Sequence, residues 1–195
     1  MTQERAVRTR ALVLAAAAEE FAAHGYNGTT LLKVVERTQM TKGALYGHFS
    51  SKEELAAALI EEAGNDLIAR AERRVESTSA LVALRETTLA LTRHLRRDTL
   101  ARSALRLAVE APQLDRCALG LIERISLPLT RAVARAHAEN RVMGRLPPEA
   151  VAQLLMAVFF EIPHPVPRND ADAARRFDDL WKAVSGSRDG GPDTA

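Results

Sequence analysis

The chain has 195 residues and a formal net charge of +2; 47% of its residues are hydrophobic, many of them alanine, and only 4% are aromatic. That length allows one or two domains with a sizeable core, and the alanine content favours helix over sheet. No apolar run approaches the roughly 18 residues of a membrane-spanning helix, no apolar signal region follows the early arginines, and the single Cys117 excludes an internal disulfide. A cytoplasmic location without membrane contact is expected.

After a frayed arm over residues 1–4, a first helix is expected from Arg5 to His24. Val13, Leu14, Ala17 and Phe21 form its inner stripe, and Gly25 ends it as a left-handed cap. Arg5, Arg8 and Arg10 stand at its start, either as phosphate contacts or as solvated charges. Tyr26 is placed beneath the next elements. Asn27-Gly28 reads as a loop, because its flanks lack hairpin alternation.

Thr30 can cap a second helix, whose apolar face is Leu31, Val34 and Val35. Thr38-Gln39-Met40 is a turn and Thr41 a second cap. The third helix is expected to be about eight residues long, too short to stand without packing. Leu45 and Phe49, four apart, dock inward. Lys42 and Tyr46 share a different face, beside Gly43 and Gly47. That outward face offers a cation, a phenol and two residues without side chains, which suits a large flat anionic partner. A helix-turn-helix lays such a second helix in the DNA major groove, N-terminal end first. Residues 1–52 also hold seven Lys/Arg against four Asp/Glu, whereas the remainder is slightly acidic.

A fourth helix is expected from about Ser51 to Val75, with Leu55, Leu59, Leu67 and Val75 inward and Gly64-Asn65 as a bend. Its N-terminus, with Lys52, offers N–H groups and charge for a phosphate. Ala80 to Arg97 forms a fifth helix and Asp98 to Glu110 a sixth, ended by Ala111-Pro112. The seventh runs from Leu114 to Arg141, kinked by Pro128. Pro147-Pro148-Glu149 opens an eighth, strongly apolar helix to Phe160. The segment 162–167 is too rich in proline for helix, a ninth helix spans about Asp170 to Val184, and residues 185–195 read as a disordered tail. The fold class is all-α, about nine helices.

No catalytic or metal constellation is visible. His24, His48, His94, His137 and His164 are scattered without ligand spacing. Ser103 has no companion base, and no glycine-rich phosphate loop follows a strand. An enzyme, a metal and a cofactor are not expected.

Gly25-Tyr26, Thr29-Thr30, Thr41-Lys42-Gly43-Ala44-Leu45-Tyr46, His48-Phe49 and Lys52-Glu53-Glu54-Leu55 resemble the signature of the TetR family of bacterial transcriptional repressors, over roughly residues 8–60. Thr41 to Tyr46 and Leu105-Arg106-Leu107-Ala108 are similar to the γ-butyrolactone receptors of actinomycetes. The resemblance implies a helix-turn-helix head over 1–50, a ligand-binding and dimerisation body over 51–184, and a homodimer facing a palindromic double-stranded operator. It implies base contacts from Lys42 and Tyr46, with Gly43, Ala44 and Gly47 on the same face. Thr30, Thr41, His48 and Lys52 would hold phosphates. Phe159, Phe160, Phe177 and Trp181 suit a paired surface.

A small apolar effector is implied in the body, possible linings being Leu84, Thr88, Leu91, Leu107, Leu121, Ile122, Ile125, Leu155 and Phe159, each equally at home in an ordinary core. Three residues depart from the family pattern: Thr38-Gln39 replaces a common Ala-Gly, Gly47 replaces a large residue, and Glu20 replaces an apolar one. The tryptophan that γ-butyrolactone receptors place over their ligand from the long middle helix is also missing, since the one tryptophan is Trp181. The effector is therefore a γ-butyrolactone-like signal, an antibiotic, or another compound sensed by a pseudo-receptor. The alternative is a helical sequestering protein with a weakened DNA-binding head.

Overall fold

Among the described residues, apolar residues three and four apart wind into eight α-helices of defined bounds, and these residues contain no strand. The structure is a computed structural model that describes residues 2–73, 79–111, 114–139 and 146–160, together with Arg175, Asp178, Asp179, Trp181 and Lys182. The helices are α1 (Thr2–Gly28), α2 (Leu31–Thr38), α3 (Lys42–Tyr46), α4 (Lys52–Arg73), α5 (Ala80–Arg97), α6 (Thr99–Glu110), α7 (Asp115–Ala138) and α8 (Pro148–Phe160). The ninth expected helix falls largely outside the described residues, although those described between 175 and 182 are helical. The tail over 185–195, Phe177, His164 and the side chains of Cys117, Phe159 and Phe160 also lie outside them.

The first helix breaks where the glycine was expected to end it, at positive φ. It turns a kink at Gly25 (φ 70°, ψ −179°) and continues to Gly28. Asn27-Gly28 is therefore a last helical turn rather than a loop. The buried Thr29 hydroxyl donates to Gly25 O at 2.8 Å, satisfying a carbonyl that the kink removes from the helical ladder.

Caps define α2 and α3. The Thr30 side chain accepts from Lys33 N, and the Thr41 side chain from Ala44 N. Gln39 closes α2 in the left-handed region, φ 55°, its N–H donating to Glu36 O. That conformation costs an L residue about 1–2 kcal/mol relative to glycine. Gln39→Gly is expected to raise the melting temperature by about 2–4 °C in a thermal denaturation scan. The regular part of α3 is five residues, shorter than expected, with Gly47 as its C-cap. His48 N and Phe49 N both still reach Leu45 O at 2.9 Å, so the turn continues irregularly.

Phe21, Tyr26, Val34, Leu45, Phe49 and Leu55 form the interior of the head, and Phe21 stacks on Tyr26 with ring centroids 6.1 Å apart. Helix α4 is helical through Gly64-Asn65. Gly64 admits α7: an added Cβ would lie 2.9 Å from Leu121 Cδ1. Helix α7 continues through Pro128, which lies inside it as expected. Helix α1 packs along α6, and α4 against α6 and α7. The buried apolar residues consequently form one continuous cluster from Val13 to Trp181. Trp181 packs onto the core of its own chain.

Candidate nucleic-acid interface

The geometry of the head follows from two buried anchors. Leu45 is fully buried and Phe49 nearly so, which pins a helix that has no stability of its own. The opposite face is thereby turned to solvent. Lys42, Gly43, Ala44 and Gly47 are exposed, and Tyr46 retains 53% of its surface. A Cβ at Gly43 would meet nothing within 4 Å, and one at Gly47 only two backbone oxygens at 3.5 Å. Neither glycine is demanded by packing, and Gly47 has an ordinary helical φ of −70°. The two positions form a low, flat strip between a cation and a phenol. Thr30 and Thr41 are exposed at the helix starts beside it, and His48 is half-buried.

Lys52 requires a correction. Its ammonium turns inward, donating to Tyr26 O at 3.0 Å and Thr29 O at 3.2 Å, and lies 4.2 Å from the centre of the Tyr26 ring. The carbonyls left over at the end of α1 draw the cation more effectively than solvent does. The start of α4 is likewise occupied. The Glu54 carboxylate accepts from Ser50 N at 2.7 Å, and Ser51 Oγ accepts from Glu54 N at 3.1 Å, so one N–H of the first turn is capped by the hydroxyl before it. The Tyr26 hydroxyl donates to Glu53 at 2.8 Å. Hydrogen bonds, led by backbone N–H for Glu53 and by the Ser50 side chain for Glu54, hold both carboxyls below the ordinary carboxylate range. They support α4 at neutral pH and lose that role only as pH falls through their lowered values.

Lys52 is accordingly a strut. Lys52→Met keeps the stem and removes the charge, leaving two carbonyls without their donor. The expected result is a loss of about 1–2 kcal/mol in denaturant unfolding, with the salt dependence of DNA binding unchanged. A salt slope reduced by about one would restore the phosphate role.

Of the three early arginines, Arg10 is also engaged. It bridges to Glu62 of α4 at 3.0 Å and lies 5.4 Å from the Phe49 ring centre. Arg5 and Arg8 are exposed. Sequence reasoning missed the side chains that tie the head together. Arg37 joins Glu20 and Glu19, and Arg106 of α6 reaches Ala22 O of α1 at 2.7 Å. The only signals were Glu20, as an acid at an apolar position, and the Arg106 motif; neither revealed its partner.

In the body, Leu84, Thr88, Leu91, Leu107, Leu121, Ile125 and Leu155 are buried in the continuous core, and Ile122 packs against it half-buried. The Thr88 hydroxyl donates back to Leu84 O at 2.8 Å. A surface crevice lies elsewhere, between α1 and the α5–α6 corner, lined by residues including Glu19, His94 and Asp98. Among the described residues no group of three His, Cys, Asp or Glu could hold a metal, and no helix is long and apolar enough to cross a membrane.

A short capped helix displayed on a turn, carried by a helical body, defines a helix-turn-helix regulator fold. The family model described as "Bacterial regulatory proteins, tetR family" matches residues 13–59. Over 108 residues the chain is 34% identical to the A-factor receptor protein of Streptomyces griseus, covering 55% of this chain and 37% of that protein. It is similar to the crystal structure of full-length native TylP, a TetR regulator from Streptomyces fradiae, at 32% identity, 94% of this chain, 87% of that chain and TM-score 0.66. It is also similar to a gamma-butyrolactone receptor (ArpA-like protein), at 27% identity, 92% of this chain, 96% of that chain and TM-score 0.73. The alignments span about two fifths of the length of the curated relatives. The chain belongs to the TetR family of bacterial regulatory proteins. Its relatives are transcriptional regulators, not enzymes.

Proposed function

We propose that the chain is a ligand-responsive, DNA-binding transcriptional repressor that acts as a homodimer on a palindromic operator. The observation that carries this reading is the outward face of α3, where Lys42 and Tyr46 flank an open strip at Gly43 and Gly47 on a helix fixed from behind by Leu45 and Phe49. In this reading residues 1–50 are the head, and 51–184 the ligand-binding and dimerisation body. Lys42 and Tyr46 meet base edges, with Gly43, Ala44 and Gly47 letting the backbone approach. Thr30, Thr41 and His48 steady the phosphates. Two-fold symmetry sets the two recognition helices about 34–36 Å apart, or a multiple of that.

The effector is a small apolar compound bound among Leu84, Thr88, Leu91, Leu107, Leu121, Ile122, Ile125, Leu155 and Phe159. It favours a head spacing that mismatches the operator, and releases DNA only as far as it prefers that spacing. The names of related proteins, an A-factor receptor and a gamma-butyrolactone receptor, support a signal of that type. The test is fluorescence anisotropy of the full chain with duplex DNA from upstream of its own gene, against a scrambled duplex, over a salt series. Saturable binding that survives scrambled competitor is expected. Equal affinity for both duplexes at every salt concentration overturns the reading and favours the sequestering alternative.

A further inference from the structure

We propose that Glu20 and Arg37 are positioning residues that fix the roll of α2 and thereby aim α3; this rests on the DNA-binding reading above. Glu20 lies on α1 with 5% of its surface exposed. Its Oε1 accepts from Arg37 Nε at 2.9 Å and from Arg37 Nη2 at 2.5 Å. Arg37 Nη1 donates to Glu19 Oε2 at 2.7 Å. A planar guanidinium held by three N–H groups on two carboxylates of one helix has almost no rotational freedom. Arg37 occupies the last turn of α2, two residues before the left-handed Gln39.

One other α2 side chain is tied outside the helix: Lys33 Nζ, in the first turn, donates to Gly28 O at 3.0 Å, which leaves the last turn of α2 to Arg37. The fully docked residues of α2 are Val34 and Val35, neighbours on one side, while Leu31 is only partly buried. The Thr38 hydroxyl turns back onto Val34 O and Val35 O of its own helix. Leu31, Lys33 and the two valines hold the start and middle of α2; its last turn is held by Arg37, and any roll of that turn is passed through a three-residue turn to α3.

The form of the pair also argues against a role in stability alone. Burying a carboxylate is costly, and apolar residues of similar size often serve folding as well or better. Here Glu20 Oε2 is buried without a hydrogen-bond partner.

The experiment measures two quantities on each full-length variant: the melting temperature, and the ratio of affinities for operator and scrambled duplex. Glu20→Leu is expected to melt at or above the wild-type temperature while its ratio falls at least tenfold, chiefly through weaker operator binding. Arg37→Lys, which keeps the charge but loses the fork, is expected to lower the ratio in the same way, and Glu20→Gln, which keeps the Oε1 acceptor, to retain most of it. A wild-type ratio in both Glu20→Leu and Arg37→Lys overturns the proposal. So does a proportional loss on both duplexes, which marks a folding defect. A wild-type chain that does not distinguish the duplexes at all overturns the DNA-binding reading instead, and this proposal with it.

Discussion

Gly43→Glu is expected to leave the fold intact and to abolish operator binding. Gly43 is the second residue of α3, and a Cβ there would meet nothing within 4 Å. No positive φ is recorded at this position, so no backbone strain opposes a side chain. Replacing a helical glycine recovers about 0.5–1 kcal/mol of helix stability, and a carboxylate near a helix N-terminus is favourable. The melting temperature should therefore hold or rise slightly. In the complex the same carboxylate would enter the groove between Lys42 and Tyr46, where it displaces the backbone from the bases, faces phosphates and base acceptors, and competes with DNA for Lys42. Losing the contacts of this face amounts to about 3 kcal/mol or more, roughly a hundredfold in affinity. Thermal denaturation and anisotropy on one preparation decide the matter. A variant that melts normally and still binds operator would show that α3 does not face DNA.

The parts of this architecture legible in the sequence were those governed by neighbours in the chain. Thr30 and Thr41 cap the helices that follow them, because an N-cap is a matter of three residues. The stripe Val13, Leu14, Ala17 and Phe21 is fully buried, as its spacing required. Gln39 stands at positive φ, where the turn pattern placed a glycine.

What could not be read depends on long side chains and distant partners. Lys52 has a reach that permits either a phosphate or an interior carbonyl, and the choice is made by Tyr26 O and Thr29 O, exposed by a kink more than twenty residues earlier. Arg10 is decided in the same way by Glu62 and Phe49. Gly64 looked like a hinge because glycine weakens a helix, yet its reason is Leu121 on a helix not yet reached in the sequence. The candidate effector residues show a different limit. Periodicity finds the inward face of a helix, and Leu84, Leu91 and Leu107 are indeed inward. It cannot distinguish a side chain that meets another side chain from one that meets a guest.

Gly25→Ala is expected to destabilise the chain more than any other single-methyl change in the head. At φ 70° and ψ −179° the backbone occupies a region that is essentially confined to glycine, and a side chain there costs about 1–3 kcal/mol. The space is also taken: a Cβ would fall 2.5 Å from Glu110 Oε2 and 3.0 Å from Arg106 Nη2. Both are ends of flexible side chains and can withdraw, but withdrawal disturbs the Arg106 bond to Ala22 O, which satisfies a carbonyl beside the kink. Together these give roughly 2–4 kcal/mol, or a fall of about 5–15 °C in the melting temperature at this chain length. The double variant Gly25→Ala with Glu110→Ala separates the causes. Removing the carboxylate relieves the contact but not the dihedral strain, so less than half of the loss should return. Full recovery would mean that crowding, not φ, was the obstacle, and that α1 can straighten. A straightened α1 would move Tyr26 and Thr29, and with them the carbonyls that hold Lys52 and the start of α4. The kink therefore sets where the head meets its supporting helix, and glycine alone allows it.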